Sequence, residues 1–122
     1  MSSLTESLRQ VMAVDGVRAA ALIDIATGMV VRSAGEEGAG FPAAAASMAD
    51  EARLARGVLG PGRPGGDLDE ISLVTEDRLH VTKVLGSRLG EGMLLFVDLD
   101  RTRVNIALAG LRIGQLTPAV LA

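Results

Sequence analysis

Apolar residues recur along the chain with two different periods, and the alternation between them sketches the fold. Leu4, Leu8, Val11 and Met12 stand at the i, i+4, i+7, i+8 spacing that lines one face of a helix, predicting an amphipathic helix over residues 3–14. Ser3 and Glu6 match a capping box at its start, and Asp15-Gly16 supplies its stop. Two short runs rich in Ile and Val follow, 18–25 and 29–34, split by Ala26-Thr27-Gly28, a β-hairpin pattern in which Gly28 provides the positive φ of the turn. Residues 42–58 return to the helical period: Pro42 suits a first turn, and Ala43 to Ala46, Ala49, Ala52 and Ala55 have the highest helix propensity. Ala45, Ala49 and Ala52 share a face with Met48, and such small side chains let another helix or a sheet approach closely.

Gly and Pro crowd residues 57–66, which cannot continue the helix and read as a loop. Three strand-like runs come next, 68–75, 78–85 and 93–98; the two-residue turn Glu76-Asp77 joins the first pair as antiparallel neighbours, and the Gly-rich segment 86–92 makes the second connection. A last helix is expected from an N-cap at Thr102, with Val104, Leu108 and Leu111 on its apolar face and Gly114 and Pro118 beyond. The order αββαβββα predicts an α+β domain, a five-stranded antiparallel sheet with helices over its apolar faces.

Length and composition narrow the functional classes. The 122 residues suit a single domain, with a core over about 3–114 and a short C-terminal tail, 115–122. The absence of Cys excludes disulfides and thiolate metal sites, and a formal charge of −3 lacks the basic footprint of a nucleic-acid binder. Phe41 and Phe96 are the only aromatics, too few for a base-stacking platform or an aromatic-lined sensor pocket. Arg18, Asp24 and Arg32 interrupt the longest apolar stretch, so no membrane insertion is expected, and the first residues carry no leader pattern; the expected compartment is the cytosol, with any membrane association made through partners.

Candidate chemistry is sparse. Gly60, Gly62 and Gly65 spell Gly-x-Gly-x-x-Gly, but after a helix and before a strand, with two prolines inside, where a connector fits better than a pyrophosphate cradle. His80, the only histidine, lies mid-strand between Leu79 and Val81 and points to the opposite face from both. Asp67, Asp69 and Glu70 lack the spacing of a calcium loop and read as a solvated approach to a strand. Arg53 and Arg56 follow Asp50 and Glu51, either as local ion pairs or as a contact surface for an acidic partner. No nucleophile–base pair, metal cluster or phosphate cradle emerges, so no catalytic, cofactor or metal residue is assigned, and a binding or scaffolding module rather than an enzyme is expected.

This organisation resembles the Roadblock family, named for a dynein light chain and found in bacteria beside small GTPases. The resemblance spans about residues 3–114. It is carried by the hairpin Ala20-Ala21-Leu22-Ile23-Asp24-Ile25-Ala26-Thr27-Gly28-Met29-Val30, its Asp24-to-Gly28 turn, and the stretch Gly66-Asp67-Leu68-Asp69-Glu70-Ile71-Ser72-Leu73-Val74. It implies a profilin-like or longin-like domain that dimerises by pairing its third strands edge to edge and packing its second helices together. On this chain those elements hold Ala45, Met48, Ala49, Ala52 and Arg56, with Leu68, Glu70, Ser72 and Val74 on the strand; Arg53 and Arg56 would serve partner contact. The implied function is a non-catalytic homodimeric regulator or scaffold for a small Ras-like GTPase, within a sensor-kinase-linked complex. The alternatives are a light-chain-like adaptor for a peptide or domain and a PAS- or GAF-like small-molecule sensor.

Overall fold

A computed structural model describes residues 4–36, 38, 40–59, 64, 66–85 and 92–120. The elements are α1 (Leu4–Met12), β1 (Val17–Asp24), β2 (Val30–Gly35), α2 (Phe41–Leu59), β3 (Glu70–Val74), β4 (Arg78–Leu85), β5 (Met93–Asp100) and α3 (Ile106–Leu116), with 3-10 turns at Arg101–Arg103 and Thr117–Ala119. The strands form one antiparallel sheet in the order β2-β1-β5-β4-β3. The expected α+β class and element order are present. Ser3 of the capping box, Gly60, Gly62 and Gly65, and 86–91 of the last connection lie outside the described residues.

Helices cover both faces of the sheet, so the central strands are apolar on both sides. In β1, Ala20 and Leu22 face α1 and α3, where Leu8, Val11, Ala109 and Ile113 pack with Leu95, Val97 and Leu99. Ala19, Ala21 and Ile23 face α2, where Phe41, Ala45, Met48, Ala49 and Ala52 pack with Leu94 and Phe96. The hairpin turn closes with Gly28 at φ +75°, its N–H donating to the Asp24 carbonyl (2.8 Å) while the Thr27 hydroxyl donates to the Asp24 carboxylate (2.7 Å).

Two expectations are corrected. The small-residue face of α2 is turned onto the chain's own sheet: Ala45, Met48, Ala49 and Ala52 are all buried within the single chain. Small side chains bring the helix backbone close to the strands, and the Thr82 hydroxyl of β4 donates to Met48 Sδ at 3.2 Å. The start and inner face of α3 also differ. Thr102 is engaged by Asp100, and Asn105 caps the helix instead, its side chain accepting from the Leu108 N–H (3.0 Å). Ala109 and Ile113 then point inward while Leu108 and Leu111 remain exposed. The helix runs past Gly114 to Leu116, and Val120 is buried in the same core cluster.

Candidate interaction surfaces

β3 ends the sheet, and its register decides which backbone groups meet solvent. The Val84 N–H donates to the Asp69 carbonyl and the Thr75 N–H to the Arg78 carbonyl, both at 2.9 Å, and Ile71 and Leu73 stand opposite Thr82 and His80. In an antiparallel ladder such bonds fall on alternate residues. The backbone groups of Glu70, Ser72 and Val74 therefore face away from β4, where no described strand meets them. Leu73 and Val74 are exposed, while Leu68 and Ile71 pack in part against the α2 side of the core.

The strand is anchored from inside by Lys83, whose ammonium lies 3.2 Å from Asp69 and 3.4 Å from Glu70. Burial alone would depress its pKa, but the hydrogen bond and charge of Asp69, reinforced by Glu70, hold it above the usual lysine value. The Ser72 hydroxyl donates to Glu70 (2.8 Å). The acidic cluster is thus occupied by the chain itself: Asp67 accepts both Arg56 Nε and Nη2 (3.1 Å each) and the Leu68 N–H (2.7 Å).

Both arginines singled out on α2 are engaged locally. Arg53 donates to the Ile25 carbonyl and to Asp50, tying the helix to the end of the β1–β2 hairpin. Arg56 fixes the approach to β3 through Asp67. Neither function requires a partner. With the alanine face turned inward, the outward face of α2 carries Ala43, Ser47, Leu54 and Val58 at near-helical spacing, and Leu54 and Val58 are 73% and 70% exposed. Sequence reasoning missed these two because they are isolated in a helix whose apolar signal is dominated by alanine.

His80 lies on the α2 side of the sheet, as its position between Leu79 and Val81 predicts. Its Nε2 is 3.2 Å from Asp98, which Arg78 also approaches at 3.3 Å, and its ring sits edge-on to Phe96 with centroids 5.0 Å apart. This half-buried polar cluster closes the sheet beside the start of α2. Among the described residues, no group of three His, Asp or Glu side chains is placed to hold a metal ion, and no helix is long and apolar enough to cross a membrane.

No protein-family model and no curated protein matches the sequence. Solved structures do match over nearly the whole chain. A Roadblock/LC7 domain from Streptomyces avermitilis is 21% identical with a TM-score of 0.78, covering 98% of this chain and 95% of that one. The gliding protein MglB from Thermus thermophilus is 19% identical with a TM-score of 0.77, covering 96% and 84%. An MglB structure in a tetrameric arrangement is 20% identical, with a TM-score of 0.77 and the same coverage. At about one residue in five identical, the likeness is one of architecture, and it agrees with the αββαβββα element order and the five-stranded antiparallel sheet. The chain has the Roadblock/LC7 fold.

Proposed function

We propose that this chain works as a non-catalytic homodimer that binds a small Ras-like GTPase and regulates it or scaffolds it. The observation that carries the reading is the outward ladder of β3, with the backbone groups of Glu70, Ser72 and Val74 available at an edge that ends in exposed Leu73 and Val74. A second copy related by a two-fold axis presents the same groups in reverse and extends the sheet, removing an edge that otherwise invites aggregation. The exposed Leu54 and Val58 of α2 give the dimer an apolar contact in place of the alanine face.

The GTPase partner rests on the resemblance to Roadblock proteins, and the fold shared with MglB supports it. Regulation requires no catalytic group from this chain. A dimer that holds one nucleotide state of its partner more tightly shifts the partner toward that state, and only by that difference in affinity. The test is titration calorimetry of the chain with small Ras-like GTPases from the same genome, each loaded with GDP or a non-hydrolysable GTP analogue. A preference of at least about tenfold between the two states, 1.4 kcal/mol, is the expected result. Equal affinities remove the regulatory role and leave the scaffold; no binding leaves the adaptor reading.

A further inference from the structure

The opposite side of the sheet carries a second surface, which owes nothing to β3 or α2. Leu108 and Leu111 of α3 are 56% and 59% exposed, and Ile106 is also exposed at the start of the helix. Beside them runs a cleft of about 400 Å³ between the end of α1 and α3, lined by Val14, Val104, Leu108 and Ala109, with Arg103 and Arg112 at its border and Asp15 at the α1 end. Leu108 and Leu111 stand three residues apart on α3 and form one short apolar ridge along its outer side, while Val104 precedes the helix in extended backbone and packs against the core.

The lining of the cleft carries two arginines, Arg103 and Arg112, against one carboxylate, Asp15, and the segment that holds α3 is itself of one sign. Residues 101–122 contain Arg101, Arg103 and Arg112 and no Asp or Glu, although the chain as a whole is acidic. Elsewhere Arg9, Arg18, Arg53, Arg56, Arg78 and Lys83 each form a salt bridge. Arg101 instead donates to the Thr75 carbonyl (2.7 Å). Arg103 and Arg112 make no salt bridge with any described residue; Arg103 acts through space on Asp100, whose carboxylate is already bonded to the Thr102 hydroxyl and N–H.

From this juxtaposition we infer that the outer face of α3 and the adjoining cleft dock an acidic amphipathic helix of a partner protein. The apolar ridge takes the partner's apolar stripe, and Arg103 and Arg112 take carboxylates beside it, the pairing of apolar anchors with arginine that enriches protein interfaces. The occupant is a helix because this face has no sheet edge to satisfy an extended backbone, whereas a helix satisfies its own. A concave cleft with Leu108 on its wall and Leu111 exposed beside it suits a rod-like segment better than a flat lipid surface, which binds amphipathic helices through a long apolar face. Because α2 and α3 lie on opposite sides of the sheet, this docking leaves the α2 side accessible. The inference does not rest on the dimer or on the GTPase.

The test uses the full chain and a fluorescein-labelled synthetic helix of about 18 residues with Leu at i, i+4, i+7 and Glu at the remaining exposed positions, read by fluorescence anisotropy. The same peptide with Lys for every Glu is the control. The Glu peptide should bind at least about tenfold more tightly than the Lys peptide, with the gap shrinking between about 50 and 500 mM salt. The double variant R103E/R112E should reverse the preference, and Leu111→Gln should weaken the Glu peptide by at least about tenfold. All three positions are on the surface, and unchanged circular dichroism shows that the variants fold.

Equal binding of the two peptides, or binding unmoved by R103E/R112E and by Leu111→Gln, overturns the inference. So does pelleting of the chain with anionic phosphatidylglycerol vesicles in preference to peptide binding, which assigns the face to lipid. A change in sedimentation caused by Leu111→Gln alone overturns it too and assigns the face to a second copy. Peptide binding by a Ser72→Pro variant that no longer dimerises separates this result from the fate of the proposed dimer.

Discussion

Two substitutions on opposite sides of α2 separate a core role from an interface role. Ala49 is fully buried against the sheet, close to the hairpin turn, where a Cβ on Gly28 would already lie 3.7 Å from Ala49 Cβ. Ala49→Glu must place a longer side chain and a charge in that space. Overpacking and an unpaired buried carboxylate each cost several kcal/mol, so about 3–5 kcal/mol is expected, a large part of a small domain's stability. Leu54→Glu with Val58→Glu changes only exposed positions, and the fold should shift by less than about 0.5 kcal/mol. Its effect falls on association instead. Full burial of Leu or Val is worth about 1.5–3 kcal/mol, and each is about seven-tenths exposed before association. Losing both contacts removes about 2 kcal/mol per protomer, doubled by the two-fold axis to about 4 kcal/mol, or roughly a thousandfold in Kd. Urea denaturation followed by far-ultraviolet circular dichroism reads the first effect, and sedimentation equilibrium reads the second. An Ala49→Glu chain with the parent urea midpoint but no dimer would refute the inward placement of the alanine face. An unchanged Kd in the double Glu variant would remove α2 from the interface.

Other expectations concern the edge, the hairpin and the ion pairs. Ser72→Pro deletes an N–H that points away from β4, so it should spare the β3–β4 ladder while weakening dimerisation by at least about tenfold in sedimentation; a parent-like dimer places the contact elsewhere. Gly35→Ala puts a Cβ 2.3 Å from the Arg18 carbonyl at φ +95°, and should cost at least about 2 kcal/mol in urea denaturation, since neither backbone strand can yield. Lys83 is held above its ordinary pKa by Asp69 and Glu70, so its contribution to stability is complete below its unfolded value and is lost as pH rises through the raised folded value. The stability gap between the parent and Lys83→Met should therefore be widest near neutral pH and close in strongly alkaline buffer, as followed by urea midpoints; a gap that stays constant with pH would refute the pairing.

Local rules made much of the architecture legible. The Asp24-to-Gly28 turn follows from positive-φ chemistry, the two-residue β3–β4 turn from the spacing of its strands, and the placement of His80 opposite Leu79 and Val81 from a two-residue strand period. The expected stop of α1 is corrected: the helix itself ends at Met12, and Gly16, at φ +86°, leads into β1 instead of stopping it. Choice among competing neighbours was not legible. Thr102 and Asn105 are both good caps, and Asp100 decided between them by taking the Thr102 hydroxyl and N–H. In α3 only Arg112 and Gln115 have polar side chains, so periodicity could not say whether Leu108 and Leu111 or Ala109 and Ile113 face the sheet.

The candidate surfaces divide in the same way. Residue types and spacing alone determined the order of elements, a third strand without proline, and a second helix with one small-residue face, because those properties depend on neighbours a few positions apart. Only the packed chain decided that the alanine face turns inward, that Arg53 and Arg56 are taken by Ile25, Asp50 and Asp67, and that Leu54, Val58, Leu108 and Leu111 reach solvent. The reason is geometric: a helix in a layered domain has one sheet to bury against, and which of its sides fits that sheet is settled by distant strands rather than by its own sequence.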